Sequence, residues 1–156
     1  MAAHPSGVRL GGHFGSSVLL KLQEDGKVIL THGGTEIGQG CNTVFCQMAA
    51  EILGIPFESV IQGPSDSDTA ILDSGMFSDR CTYWDGNATI AAANDLKRQL
   101  ADIAARKLEA KPEDLVFKNH LTVTRGYHGF RQDIGFLKGG KQRGPALDLE
   151  FLSAQL

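Results

Sequence analysis

The residues of this sequence best suited to chemistry are Gly33-Gly34-Thr35-Glu36-Ile37-Gly38-Gln39-Gly40, set between an apolar strand pattern and an amphipathic helix pattern. A glycine-rich turn from strand to helix exposes backbone N–H groups where the helix dipole is positive. That suits a phosphate or another anionic group. Gln39 stands between Gly38 and Gly40. Its amide donates and accepts without charge, and the flanking glycines let a ligand approach the backbone closely. The turn is not a P-loop, which needs Gly-Lys-Ser/Thr where Gly38-Gln39-Gly40-Cys41 stands. Its order also differs from the G-x-G-x-x-G dinucleotide fingerprint. Taken alone, it reads equally well as a tight structural turn with solvated polar side chains.

A second constellation, Gly75-Met76-Phe77-Ser78-Asp79-Arg80-Cys81-Thr82, precedes the second helix pattern. A Ser, an Arg and backbone donors close together can bind a phosphate or pyrophosphate. The alternative is a surface loop whose Arg80 pairs with Asp79 or Asp73. Other groups carry less. Cys41 and Cys46 begin like a plant-type iron–sulfur run, but no third Cys follows at the required spacing. His4, His13, His32, His120 and His128 show no metal-ligand spacing. Asp66 and Asp68 read as a solvated loop before a cation site. No catalytic residue and no metal ligand is assigned.

These loops need a scaffold, and the hydrophobic pattern supplies one. Residues 17–22 and 27–31 read as strands joined by a Glu24-Asp25-Gly26 turn. Val44, Phe45, Met48, Ala49, Ile52 and Leu53 fall on one helical face, with Asn42 or Thr43 as the cap and Gly54 and Pro56 as the stop. Residues 59–61 form a short strand. Ile90, Ala93, Leu96, Leu100, Ile103, Ala104 and Leu108 mark a second helix, ended by Pro112, and residues 115–117 and 121–123 suggest a final hairpin. The expected fold is α+β, a two-layer α/β sandwich of β-β-α-β-α-β order with both helices on one face of a mixed sheet. The expected division is a domain over 1–124 and an irregular or partner-dependent tail over 125–156.

Composition narrows the function. The chain has 156 residues, 42% hydrophobic and 21% charged, with a formal net charge of −3. It reads as one globular domain. Without a basic stripe interleaved with aromatics, nucleic acid is not an expected partner. There is no apolar run of membrane-spanning length and no signal-peptide pattern at the N-terminus, so the expectation is a cytoplasmic protein. The cysteines, Cys41, Cys46 and Cys81, are read as reduced thiols.

The order of features carries a resemblance. It runs Asp25-Gly26-Lys27-Val28, then Gly34-Thr35-Glu36-Ile37-Gly38-Gln39-Gly40, then Ala49-Ala50-Glu51-Ile52-Leu53-Gly54-Ile55-Pro56. Ser67-Asp68-Thr69, Ser78-Asp79-Arg80 and Gly86-Asn87-Ala88 follow. From about residue 5 to about 124, the chain resembles the molybdopterin-binding large subunit of the molybdenum hydroxylases, the xanthine dehydrogenase and aldehyde oxidase family. The look is closest to the large subunits of 4-hydroxybenzoyl-CoA reductase and carbon monoxide dehydrogenase.

The resemblance implies a molybdopterin site, the pterin extended as a dinucleotide, with no protein ligand to molybdenum. Gly38, Gln39 and Gly40 would hold part of the pterin or its phosphate, and Ser78, Asp79, Arg80 and Cys81 the phosphate side from across the site. Iron–sulfur and FAD groups are implied only on partner subunits, and the remaining part of the large subunit is an implied partner. The family's Gly-Gly-Phe-Gly-Gly loop and its Gly-x-x-Glu catalytic glutamate have no counterpart in this sequence. The chain is therefore expected to be inactive alone and to self-associate through apolar surface that meets the missing half. Two other readings stand beside this one: a non-enzymatic interaction domain that has lost the cofactor, and a small nucleotide-binding module.

Overall fold

The computed structural model describes residues 15–76, 80–118, 121–124 and 146–148. The chain opens with an antiparallel pair, β1 (Val18–Leu22) and β2 (Val28–His32), in the register Val18 opposite His32 and Leu22 opposite Val28. The turn between them closes as its residues dictate. Gly26 takes φ +77°, the Gln23 N–H donates to the Lys27 carbonyl at 2.7 Å, and the Lys27 N–H donates to Asp25 Oδ1 at 3.1 Å.

Helix α1 (Cys41–Leu53) then returns the chain to β3 (Val60–Gln62), which lies parallel to β2. β2–α1–β3 is thus a βαβ unit, and the sheet β1-β2-β3 is mixed. α1 buries Cys41, Phe45, Cys46, Ala49, Ala50 and Leu53. Gly54 ends it at φ +69°, and the Ile55 N–H reaches back to the Ala50 carbonyl at 3.1 Å, a Schellman-type closure. The expected side-chain cap is absent: Gly40 occupies that position with no side-chain hydrogen bond, and Asn42 lies inside the first turn.

A single π-helical turn, Cys81–Asp85, leads into the long helix α2 (Gly86–Leu108). α2 starts close against α1, where a Cβ at Gly86 would stand 3.4 Å from the Met48 sulfur. Its buried positions include Thr89, Ala93, Leu96, Leu100, Ile103 and Ala104. Ile90, which the helical spacing places in this set, is 38% exposed, because the buried stripe begins one residue earlier, on Thr89. Lys97 donates to the Ile52 carbonyl at 2.6 Å, satisfying a terminal carbonyl of α1.

β4 (Leu115–Lys118) and β5 (Leu121–Thr124) form the anticipated hairpin. They do not extend the first sheet. With β6 (Ala146–Asp148) they make a separate three-stranded antiparallel sheet. β6 falls within the segment read as an irregular tail; the rest of 125–156 lies outside the described residues. The architecture is α+β, with a mixed sheet and two helices around one core.

Phe45 centres that core. It is fully buried and meets the edge of the His32 ring at a centroid distance of 4.9 Å. Phe45→Ala is expected to cost about 3–5 kcal/mol in urea unfolding. Ile37→Ala, at an exposed position, should stay within about 0.5 kcal/mol of the parent.

Candidate functional site

The glycine turn and the π-turn before α2 meet at the N-terminal end of α1. Gly38 and Gly40 adopt φ +100° and +78°, which disfavour any side chain, and open space surrounds the position a Cβ would take at either. The backbone is therefore approachable there, as the sequence suggests.

The anion seat itself is filled from within. The Glu36 carboxylate accepts the N–H groups of Gly38 at 2.8 Å, Gly40 at 2.9 Å and Asn42 at 3.3 Å. Those N–H groups, Gly40's foremost, draw the carboxyl down to about 2 against a smaller upward push from desolvation. Glu36 is in effect the cap of α1, delivered from before the glycines rather than from Asn42 or Thr43. Asn42 Oδ1 instead pairs with His32 Nε2 at 2.9 Å.

Gln39 is exposed, and its amide folds back over the turn. Oε1 accepts the Ile37 N–H at 2.7 Å. Nε2 donates to the Thr35 carbonyl at 3.0 Å and faces the sulfurs of Cys41 at 3.2 Å and Cys81 at 3.6 Å. The structure thus brings together Gly38, Gln39, Gly40 and Cys81 from the two sequence constellations.

Arg80 is placed differently. Its side chain is 2% exposed and paired with Asp73, 3% exposed, at 3.2 Å. It also donates to the carbonyls of Gly75 at 2.9 Å and Gly15 at 2.8 Å, and to Ser16 Oγ at 3.1 Å. Of the sequence alternatives, a pairing with Asp73 is formed. Ser78 and Asp79 lie outside the described residues. Asp66 receives the Asp68 N–H at 2.9 Å in an exposed turn, and no cluster of metal-ligating side chains occurs among the described residues.

Sequence reasoning did not find the polar group beneath the turn. Asp85 is fully buried, and among the described residues neither of its oxygens meets a partner at full hydrogen-bond geometry, although Ser16 and Asp73 lie beside it. Gly34 lies against it: a Cβ there would stand 3.1 Å from Asp85 Oδ2 and 3.1 Å from His32 Nδ1, which likewise lacks a partner at full hydrogen-bond geometry among the described residues. Burial first, then the neighbouring Asp73 carboxylate, push the Asp85 carboxyl up to about 6, offset in part by Ser16 and Arg80. Burial likewise lowers the His32 pKa, against the Asn42 hydrogen bond and the charges of Asp73 and Glu36. Asp73 moves down instead: burial opposes it, but the Gly75 N–H, Asp85, Ser16 and Arg80 together outweigh burial. Only the proximity of an aspartate just before Gly86 and a histidine just before Gly33 marks this group in the sequence.

The fold is thus α+β, with an approachable Gly-Gln-Gly turn set against the approach to a second helix. Residues 1–138 match the molybdopterin cofactor-binding domain family, and the chain belongs to that family. It is 35% identical over 121 residues to the putative xanthine dehydrogenase molybdenum-binding subunit of Escherichia coli (strain K12), covering 76% of this chain and 15% of that protein. It is 33% identical over 106 residues to the nicotine 6-hydroxylase large subunit of Paenarthrobacter nicotinovorans, covering 68% of this chain and 13% of the relative. The solved structure of reconstituted CO dehydrogenase from Oligotropha carboxidovorans superposes with a TM-score of 0.72 at 27% identity, over 92% of this chain and 16% of the other. Quinoline 2-oxidoreductase from Pseudomonas putida 86 shares the fold, with a TM-score of 0.73 at 21% identity over 91% of this chain and 16% of the other. The chain thus spans about a seventh of the length of these relatives. Among the described residues, no helix is long and apolar enough to cross a membrane.

Asp85 makes a pH signature. Folding raises its pKa from 3.8 to about 6, so the folded chain holds more protons than the unfolded one across that window. Its contribution to stability therefore falls as pH rises from about 4 through about 6, by about 3 kcal/mol in all. Urea unfolding at pH 4.5 and pH 8 should show about 2 kcal/mol of this loss in the parent relative to Asp85→Asn, since the rest falls below pH 4.5. An identical pH dependence in the two proteins would contradict it.

Proposed function

We propose that this chain supplies one wall of the molybdopterin site in a molybdenum hydroxylase-type oxidoreductase. The Gln39 amide, with the open backbone faces of Gly38 and Gly40, would hold the neutral, hydrogen-bonding edge of the pterin. The observation that carries this reading is that exposed amide, whose donor faces two thiols, which are weak acceptors that a ligand oxygen or nitrogen readily replaces. The residues fit a pterin edge better than a phosphate, because Glu36 already takes the N–H groups of Gly38, Gly40 and Asn42 and would repel a second anion.

Arg80, Cys81 and the neighbouring Ser78 and Asp79 would form the facing side. Arg80 acts there by holding the loop through Asp73 rather than by reaching the ligand. When bound, the molybdenum pterin would supply the redox chemistry, and this chain's residues would orient it. Electrons would leave through iron–sulfur and FAD groups on partner subunits, and the remaining large subunit would provide the catalytic glutamate. A two-layer sandwich of β-β-α-β-α-β order, a cytoplasmic setting and self-association of the isolated chain belong to the same proposal.

One observation favours the second reading, a domain that has given up the cofactor: the N–H groups suited to the cofactor's phosphate are capped by the chain's own Glu36. The two readings differ at Gln39. Pterin and molybdenum content, measured on the protein from a host that makes the cofactor, should fall at least several-fold in Gln39→Ala with the fold retained by circular dichroism. Pterin retained in full by Gln39→Ala overturns the role of the turn, and no pterin in the native assembled protein establishes the second reading.

A further inference from the structure

We propose that Cys41 and Cys81 are a redox-active pair that closes into a reversible disulfide beneath Gln39, by thiol exchange with a small disulfide such as oxidised glutathione. The observations are geometric. Both sulfurs lie against one atom, Gln39 Nε2, at 3.2 and 3.6 Å. Both thiols are free and buried, and they come from different elements, the first residue of α1 and the first residue of the π-turn. The third thiol, Cys46, lies further along α1 with Gln62 Oε1 at 4.0 Å as its contact.

Burial, and then the presence of Cys81, push the Cys41 thiol up to about 12. Because the thiolate is the attacking form, that raised pKa makes exchange at Cys41 slow at neutral pH. The lid over them is Gln39, exposed and anchored to the Thr35 carbonyl and the Ile37 N–H. Exchange therefore needs Gln39 to swing aside and is slow.

The chemistry balances. One cysteine thiolate attacks oxidised glutathione and forms a mixed disulfide, releasing one glutathione. The second cysteine, losing its proton, attacks the protein sulfur of that mixed disulfide and releases the other glutathione. The two cysteines lose two electrons and two protons, and one glutathione disulfide becomes two thiols. The bond ties the start of α1 to the approach to α2 and replaces the thiols that the Gln39 amide faces. Oxidation would thereby alter the same amide proposed to meet the pterin, although the disulfide itself does not depend on that reading.

The test uses the full reduced chain under native conditions with oxidised glutathione, acid quenching, alkylation of free thiols and peptide mass analysis. The expected product is an intrachain Cys41–Cys81 peptide pair, two hydrogens lighter, with Cys46 alkylated and the link reversed by excess reduced glutathione. Cys46→Ser should form the same link, and the thermal midpoint of the oxidised chain should rise by several degrees. Cys41 and Cys81 recovered separately alkylated, as separate glutathione adducts, or linked only between chains, in protein with native circular dichroism, overturn the proposal. A link that forms as readily in concentrated urea as under native conditions, to the exclusion of Cys46, also overturns its geometric basis.

Discussion

The buried ion pair of Asp73 and Arg80 is the constraint on which the rest of the site depends. Two charges withdrawn from water are tolerated only when their remaining hydrogen-bonding capacity is met. Here much of it is met by two separate stretches of chain, Gly15 and Ser16 before β1 and Gly75 in the long loop. The segment before β1 is bridged to that loop, with the Ser17 N–H on the Leu72 carbonyl at 3.1 Å. Once Asp73 is fixed, the Ile71 carbonyl foremost, then the Asp73 backbone and Cβ, pass so close to Gly33 that no side chain fits there. The pair thus sets where the glycine turn can begin.

Two carboxylates near this turn show how environment decides charge. Glu36 is exposed and collects three backbone N–H groups, so its charge is favoured. Asp85 is buried beside Asp73, and burial first, then that neighbour, disfavour its charge. The opposed shifts follow from solvation and donors rather than from residue type. Their joint effect is a turn whose outer face is electrostatically closed to anions while Gln39 remains as a neutral, two-way hydrogen-bonding group.

Much of the scaffold is legible in the sequence because local rules act alone there. Asp25-Gly26 closes the hairpin, Gly54 stops α1, and the spacing of Phe45, Ala49 and Leu53 points one face inward. The same rules misplace Ile90, since a stripe on a long helix can be covered at one edge and open at the other. They also misassign the α1 cap, because Asn42 was free to cap until His32, brought beside it by the sheet, took its side-chain oxygen. The pairing of β4 and β5 was readable from adjacent strand patterns, whereas their separation from the first sheet, and the joining of β6 from far along the chain, depended on long-range pairing.

By itself the sequence determined the α+β character, the order of the turn and helices, and the molybdopterin cofactor-binding family, because periodicity, turn chemistry and ordered motifs are local and additive. Tertiary structure alone decided what each polar side chain meets. Arg80 could have faced a ligand or Asp73, and Cys41 and Cys81 could have been unrelated thiols. Which occurs depends on how segments distant in sequence share a small, poorly solvated volume. There a charge must find its counterion and a donor its acceptor, and spacing along the chain does not say which partner is near.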